Sequence, residues 1–144
     1  MKGVLDAVSA ALFGRSIPTS RMLFGTGAYD FDIVGESFYQ DALEALAGGR
    51  HIKAAHVECV SFIAPEPDNP HDENAVVVTI ERRKGGHFGR EHSRAVLRRL
   101  EELGIPKGAS CRALICGGWD EGCGDTGDFG VKLDIVWPLC LAPK

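Results

Sequence analysis

The sequence of 144 residues has no surplus of positive charge, and its formal net charge is -4. Proteins that coat nucleic acid without sequence preference depend on many lysine and arginine side chains, which neutralise the phosphates. The charge balance therefore excludes a general nucleic-acid-coating protein. Any site for nucleic acid on this chain has to be local.

Cysteine pairs and long apolar runs are also missing. The five cysteines form an odd set without a CxxC pair: Cys59, Cys111, Cys116, Cys123 and Cys140. This spacing predicts neither a disulfide framework nor a zinc knuckle, so we expect reduced thiols. The apolar stretch from Val4 to Phe13 is short, contains Asp6 and lacks a small-residue cleavage pattern, so we expect neither a signal peptide nor a membrane span. The resulting expectation is a cytoplasmic protein without membrane contacts.

Spacings typical of enzymes are absent as well. The glycine-rich segment 117–130 contains neither a Walker pattern nor a dinucleotide fingerprint. Two sets of residues have side chains that could bind a metal ion. One is a hydrolase centre of His71, Asp72, Glu73 and His87, and the other is a zinc site of Cys111, Cys116, Cys123 and His92. No His-x-x-x-His or paired-carboxylate spacing supports either set. We therefore expect no catalytic residue, no metal ligand and no cofactor, with a metal-dependent hydrolase as the least favoured alternative.

The chain is long enough for one domain with its own core. Residues 1–27 read as an amphipathic helix followed by glycine and proline breakers, which indicates an extension or linker before a domain over residues 28–144. Two helices are predicted in that domain, a short one over Asp41 to Ala47 and a long one over Arg90 to Leu103.

Alternating or β-branched apolar residues predict several short strands, over 29–33, Ala54 to Ile63, Ala75 to Ile80, 82–86, Cys111 to Cys116 and 129–137. Short strands without a regular strand–helix alternation favour a mostly β fold. We expect a small antiparallel β-barrel with one long helix and one or two short helices.

The most informative stretch is the loop from Pro65 to Val78. Its prolines fix the backbone, and its Asp and Asn side chains can close turns. Asp72 can accept a hydrogen bond from a sugar hydroxyl, Asn69 and Asn74 can donate to a phosphate or a base, and His71 can stack on a base. The alternative is that Asp72 and Asn74 only close the turn.

Three ordered motifs carry a family resemblance over about residues 29–138. The stretch from Asn69 to Val76 resembles the HIRAN signature, an Asn-Pro-aromatic-Asp-x-Asn-Ala-aliphatic run, with His71 where the family usually has Tyr. The segments Val34 to Tyr39 and Gly86 to Glu91 are similar to two further family motifs, and Phe129 to Leu133 also has a counterpart.

The resemblance implies an OB-like barrel that recognises single-stranded DNA at its 3′-hydroxyl end, in DNA repair or replication-fork processing, with a helicase or nuclease as protein partner. It implies that Phe38 and His71 stack on the terminal bases and that Asp72 receives the 3′ hydroxyl. The remaining pocket residues implied by it are Ser37, Tyr39, Asn69, His87 and Phe129. Ser37 stands where a eukaryotic family member has Arg, so one phosphate contact is missing.

Two alternatives stay open. For Phe38, Tyr39 and Phe129 the alternative is core packing, and because Phe38 and Tyr39 are neighbours on a predicted strand, we expect them on opposite faces. For the whole chain the alternative is a protein-interaction adaptor that docks through the N-terminal helix and a basic helical face. The basic residues of that region are Arg82, Arg83, Lys84, Arg90, Arg94, Arg98 and Arg99.

Overall fold

A computed structural model describes residues 20–144 of the chain. The helix predicted at the start of the chain falls on residues 1–19 and lies outside the described residues. The elements are β1 (Phe31–Asp32), a 3-10 helix (Glu36–Tyr39), α1 (Gln40–Ala47), β2 (Ala55–Pro65), β3 (Val76–Ile80), β4 (Arg83–His87), α2 (Arg90–Glu102), β5 (Ala109–Gly117) and β6 (Phe129–Asp134). The predicted mostly β composition and the long helix are confirmed.

The six strands form one antiparallel sheet in the order β1-β6-β5-β2-β3-β4. The sheet curls until its two edge strands meet at one end. Val34, just after β1, and His87, at the end of β4, donate a backbone N–H to each other's carbonyl, both at 2.9 Å. The result is a half-barrel that brings the segment after β1 next to the end of β4.

The long strand β2 connects the two halves of this sheet. Its first part pairs with β5 over Ala55 to Ile63, and its last part pairs with β3 over Ser61 to Pro65. The proline-rich loop that follows β2 therefore leaves the sheet beside β3 and β4. This is also where Val34 and His87 meet.

The core lies inside the curl of the sheet. The β-branched run Val76 to Val78 is buried on both faces, as predicted. Leu43 closes the core from α1, and Val96 and Leu100 close it from α2, at the helical spacing that predicted this face. The apolar residues of β6 also point into the core, in the predicted alternation.

Asp134 departs from that alternation. It was expected on the outer face of β6, but it is only 4% exposed. Its carboxylate accepts the backbone N–H of Gly27, at 2.9 Å to Oδ1. This contact and the buried side chain of Leu23 hold residues 20–27 against the sheet. Burial of a carboxylate is tolerated here because backbone N–H groups satisfy it.

The segment after β1 also differs from expectation. Phe38 and Tyr39 were predicted to lie on a strand, but Gly35 adopts a left-handed conformation, with φ at 81°, and a 3-10 helix follows. Only glycine reaches this backbone region without steric cost.

All five cysteines are free thiols. Between residues 20 and 144, no helix combines the length and the apolar character needed to cross a bilayer.

Candidate functional site

An open pocket of about 640 Å³ lies where the 3-10 helix, the loop after β2 and the start of α2 meet. This volume falls within the usual range for small-ligand pockets, roughly 300–1,000 Å³. The lining residues come from three separate segments: Val34, Gly35, Phe38 and Tyr39 from the first; Glu66, Asp68, Asn69, Pro70, His71, Asp72 and Ala75 from the second; Lys84, His87, Phe88 and Arg90 from the third.

The first wall is the 3-10 helix. Phe38 is 83% exposed, the largest exposed fraction among the large apolar side chains of residues 20–144. The ring of Tyr39 is half-buried and lies 6.1 Å from the ring of His87, centroid to centroid. A 3-10 helix turns by a third of a circle per residue, so neighbouring side chains do not point to opposite faces. Both aromatic rings can therefore line the same pocket, contrary to the expectation for a strand.

The second wall is the loop after β2, which its own side chains hold in shape. Asn69 Oδ1 accepts the backbone N–H groups of His71, at 2.8 Å, and of Asp72, at 3.0 Å. Asp72 Oδ1 in turn accepts the N–H of Asn74 at 2.9 Å. One oxygen of Asp72 thus closes the turn, and Oδ2 makes no hydrogen bond to a described residue. The turn-closing role and a ligand-binding role for Asp72 are compatible.

Beneath this loop, Glu66 collects three polar contacts. Its Oε1 lies 2.7 Å from Asn69 Nδ2 and 2.7 Å from His87 Nε2, and its Oε2 lies 2.6 Å from Lys84 Nζ. Burial alone raises the pKa of this carboxyl, but the hydrogen bonds from Lys84, Asn69 and His87 outweigh it and lower the pKa to about 2. Glu66 is therefore charged at neutral pH and ties the loop to β4.

The third wall of the pocket carries two basic side chains, Lys84 and Arg90. The hydrogen bond to Glu66 raises the pKa of Lys84, so that this ammonium is committed to an internal ion pair. Arg90 differs, because its guanidinium donates to the backbone carbonyl of His71, at 2.8 Å, and meets no carboxylate of the described chain. Arg90 therefore presents an uncompensated positive charge at the rim.

The pocket gathers six of the nine residues singled out in the sequence: Phe38, Tyr39, Asn69, His71, Asp72 and His87. Three lie elsewhere. Ser37 is exposed on the 3-10 helix outside the lining, and Asn74 sits half-buried in the turn and donates its backbone N–H to Asp72. Phe129 is 1% exposed and belongs to the core, with the Arg50 guanidinium 4.8 Å from its ring centroid.

Several lining residues were not singled out, above all Glu66 and Phe88. Glu66 stands between two prolines directly after a long strand, and a charged residue in that position could have been flagged. Its partners Lys84 and His87 lie on β4, and the pairings of β2 with β3 and of β3 with β4 bring them close. No local sequence pattern reports such a contact.

Metal-binding side chains are not grouped within the described residues. No set of three or more His, Cys, Asp or Glu side chains in residues 20–144 is arranged to hold an ion. This applies to the set of His71, Asp72, Glu73 and His87 and to the cysteine set with His92.

Comparison with known proteins finds no match to the chain among family models, curated proteins or solved structures. The resemblance to HIRAN domains therefore depends on the three sequence motifs alone.

Proposed function

We propose that this chain is a HIRAN-type module with an OB-like barrel, and that its pocket binds the 3′-hydroxyl end of single-stranded DNA. The observation that carries the proposal is the convergence of three separate sequence motifs on one open pocket. Residues about thirty to fifty positions apart in the chain line it together. A role beside a helicase or nuclease in DNA repair follows from the family resemblance.

Exposed aromatic rings support binding of unpaired bases. An apolar ring as exposed as Phe38 is unfavourable in water, and the face of a base can cover it. His71 is also exposed and lies on the opposing loop. Stacking on an aromatic side chain contributes about 1–3 kcal/mol per base. Two such rings in one pocket suit the last nucleotides of a strand.

Asp72 supports recognition of a hydroxyl. Its Oδ2 is available to accept the 3′ O–H, while Oδ1 keeps the turn closed. A 3′ phosphate in the same place would bring negative charge against this carboxylate. The pocket should therefore discriminate between the two strand ends. Arg90 offers the phosphate contact that Ser37 does not supply, because its guanidinium meets no carboxylate of the described chain.

The test is fluorescence anisotropy with a short 5′-labelled oligonucleotide that ends in either a 3′ hydroxyl or a 3′ phosphate. Asp72→Asn keeps an oxygen for the Asn74 N–H and removes the charge, so we expect about tenfold weaker binding of the hydroxyl end and less discrimination. Phe38→Ala should weaken binding by about 5- to 150-fold through lost stacking.

A matched control exists for the aromatic substitution. Ile52 is another large apolar side chain, 73% exposed and outside the pocket lining, so Ile52→Ala should leave binding unchanged. Equal loss of affinity in Phe38→Ala and Ile52→Ala would contradict a specific platform at Phe38. Equal affinity of the wild-type chain for both strand ends would remove the end-recognition function.

A further inference from the structure

A row of aromatic rings runs from the pocket to a second exposed ring. Phe88 lines the pocket, and the ring centroid of Phe31 lies 5.3 Å from it. Trp137 stacks on Phe31 at 5.8 Å with an interplanar angle of 14°, and His92 meets Trp137 edge-on at 5.3 Å. Trp137 is nevertheless 48% exposed. The indole is thus held in place and still open to a ligand.

Three exposed arginines form a row along α2. Arg90, Arg94 and Arg98 are four residues apart, which places them on one side of the helix with a rise of about 6 Å between neighbours. We call these three residues the arginine row. Arg90 lines the pocket, and Arg98 lines a shallow groove of about 150 Å³ together with Trp137 and Pro138. The arginine row therefore connects the pocket to the exposed tryptophan.

No member of the arginine row forms an ion pair with a residue between 20 and 144, although Glu102 lines the same groove as Arg98. Glu102 instead contacts Arg99, and Glu91 lies beside His92. Cations along one side of a helix, with an exposed indole near one end of the row, suit single-stranded nucleic acid, because cations contact the phosphates and rings stack on the bases.

We propose that the strand leaves the pocket in the 5′ direction along the arginine row and that one of its bases stacks on Trp137. This inference depends on the proposed function, because the pocket fixes which end of the strand is bound. The row spans about 12 Å from Arg90 to Arg98, enough for about two nucleotides beyond those in the pocket. The full site then covers four to five nucleotides, within the roughly 4–16 known for OB-type folds.

A length series of unlabelled thymidine oligonucleotides with 3′ hydroxyls tests the path, measured by competition against a labelled probe. The wild-type chain should bind a hexanucleotide about 10- to 100-fold more tightly than a dinucleotide. The double substitution Arg94→Ala with Arg98→Ala should remove most of this gain and leave dinucleotide binding unchanged. Loss of two phosphate contacts should also reduce the salt slope of hexanucleotide binding by about 1.4.

A charge-matched control is the double substitution Lys53→Ala with Lys107→Ala. Both lysines are exposed and lie outside the pocket and the groove. This control should retain the full gain with length. Thermal unfolding of both double variants should match the wild type, since the substituted side chains are exposed.

Tryptophan fluorescence gives a second readout. The chain has two tryptophans, Trp119 and Trp137, so the difference between wild type and Trp137→Phe isolates the signal of Trp137. The hexanucleotide should quench that signal, and the dinucleotide should not. This measurement reports only whether a base stacks on Trp137.

The outcomes separate the two proposals. Suppose that dinucleotide binding depends on the 3′ hydroxyl. If longer oligonucleotides then bind no more tightly, or if the arginine substitutions leave the gain in affinity intact, the path is overturned and the proposed function stands. Hexanucleotide binding that needs the arginine row but ignores the 3′ end supports contact of the strand with α2. It overturns end recognition and, with it, the 5′ direction of the path. Absence of binding to every oligonucleotide overturns both, and the basic face is then left to a protein partner.

Discussion

Glu66 is the residue on which the polar contacts of the pocket converge. Its carboxylate joins the loop, through Asn69, to β4, through Lys84 and His87. These contacts lower its pKa from an ordinary 4.5 to about 2. A group whose pKa is lower in the folded state stabilises the protein above its unfolded pKa and loses that effect as the pH falls. The contribution should be complete above about pH 5 and largely lost near pH 2.

The substitution Glu66→Gln tests this residue. We expect the free energy of unfolding at pH 7 to fall by about 1–2 kcal/mol, a value reduced by solvent screening because Lys84 lies half in water. The difference from wild type should shrink between pH 5 and pH 2. Urea unfolding at several pH values measures it. Asp120→Asn, at an exposed carboxylate outside the pocket, is the control, and an equal pH dependence in both variants would contradict the role of Glu66.

Individual pocket residues were predictable only where the sequence displays a motif. Asn69, His71 and Asp72 lie in one run of turn-forming residues, so they could be grouped from the sequence alone. The position of Glu66 between two prolines could have been noticed, but its contacts with Lys84 and His87 could not, because they join residues that are distant in the chain. The family resemblance groups Phe129 with the pocket, but its ring packs in the core, which is the alternative that alternation along a strand favours.

At the scale of elements, the loop after β2 is held by side-chain acceptors. Asn69 Oδ1 binds two consecutive backbone N–H groups, those of His71 and Asp72. In Asn69→Ala both amides lose this acceptor, at a cost of about 1–3 kcal/mol. Amide hydrogen exchange at His71 and Asp72 should accelerate by about tenfold or more, and affinity for a 3′ end should fall because the loop is less preorganised.

Asn74→Ala is the matched control for that loop. The side-chain amide of Asn74 forms no hydrogen bond with a described residue, so exchange at His71 and Asp72 should stay near the wild-type rate. Unchanged exchange in Asn69→Ala would show that the loop keeps its shape by other means.

The junction between β1 and β4 depends on a close approach at Gly86. A Cβ atom there would lie 2.7 Å from the carbonyl oxygen of Val34 and 2.7 Å from Ile33 Cδ1. Ile33 is a core residue, and the Val34 carbonyl accepts the N–H of His87, so neither can easily retreat. Gly86→Ala should lower the free energy of unfolding by about 2–3 kcal/mol in urea titrations.

Gly130→Ala is the counterpart in β6. A Cβ atom at that position would have its nearest neighbours at 3.6 Å, which is ordinary contact, so the cost should stay below about 1 kcal/mol. If the two glycine substitutions destabilise the protein equally, the tight junction at Gly86 is not essential.

Helices and strands with a regular spacing of apolar residues were predictable from the sequence. An element that depends on the conformation of a single residue was not. The long helix α2 and the strands β2, β3, β5 and β6 follow from apolar spacing, which is set by burial on one or both faces. The 3-10 helix was not recognised, because the signal is the single left-handed Gly35 and two adjacent aromatic residues suit a strand equally well. The curl of the sheet depends on pairings between distant segments, which no local window contains.

At the scale of the whole molecule, the acidic balance and the local basic surface fit together. A chain with a net charge of -4 cannot bind DNA through overall attraction, so affinity has to come from a few fixed contacts. The half-barrel joins the segment after β1 to the end of β4, which sets the 3-10 helix beside the loop after β2. Under the proposed function, these elements provide the few contacts that select one strand end.

The proposed function requires that the pocket selects a free 3′ hydroxyl. Two Kd values of the wild-type chain, measured near physiological salt, test this requirement: one for an oligonucleotide with a 3′ phosphate, and one for the same oligonucleotide with a 3′ hydroxyl. The quantity of interest is the ratio of the first to the second. We predict a ratio of about ten or more, because a 3′ phosphate meets the carboxylate of Asp72. Equal Kd values, or no binding of either oligonucleotide, would contradict the proposal.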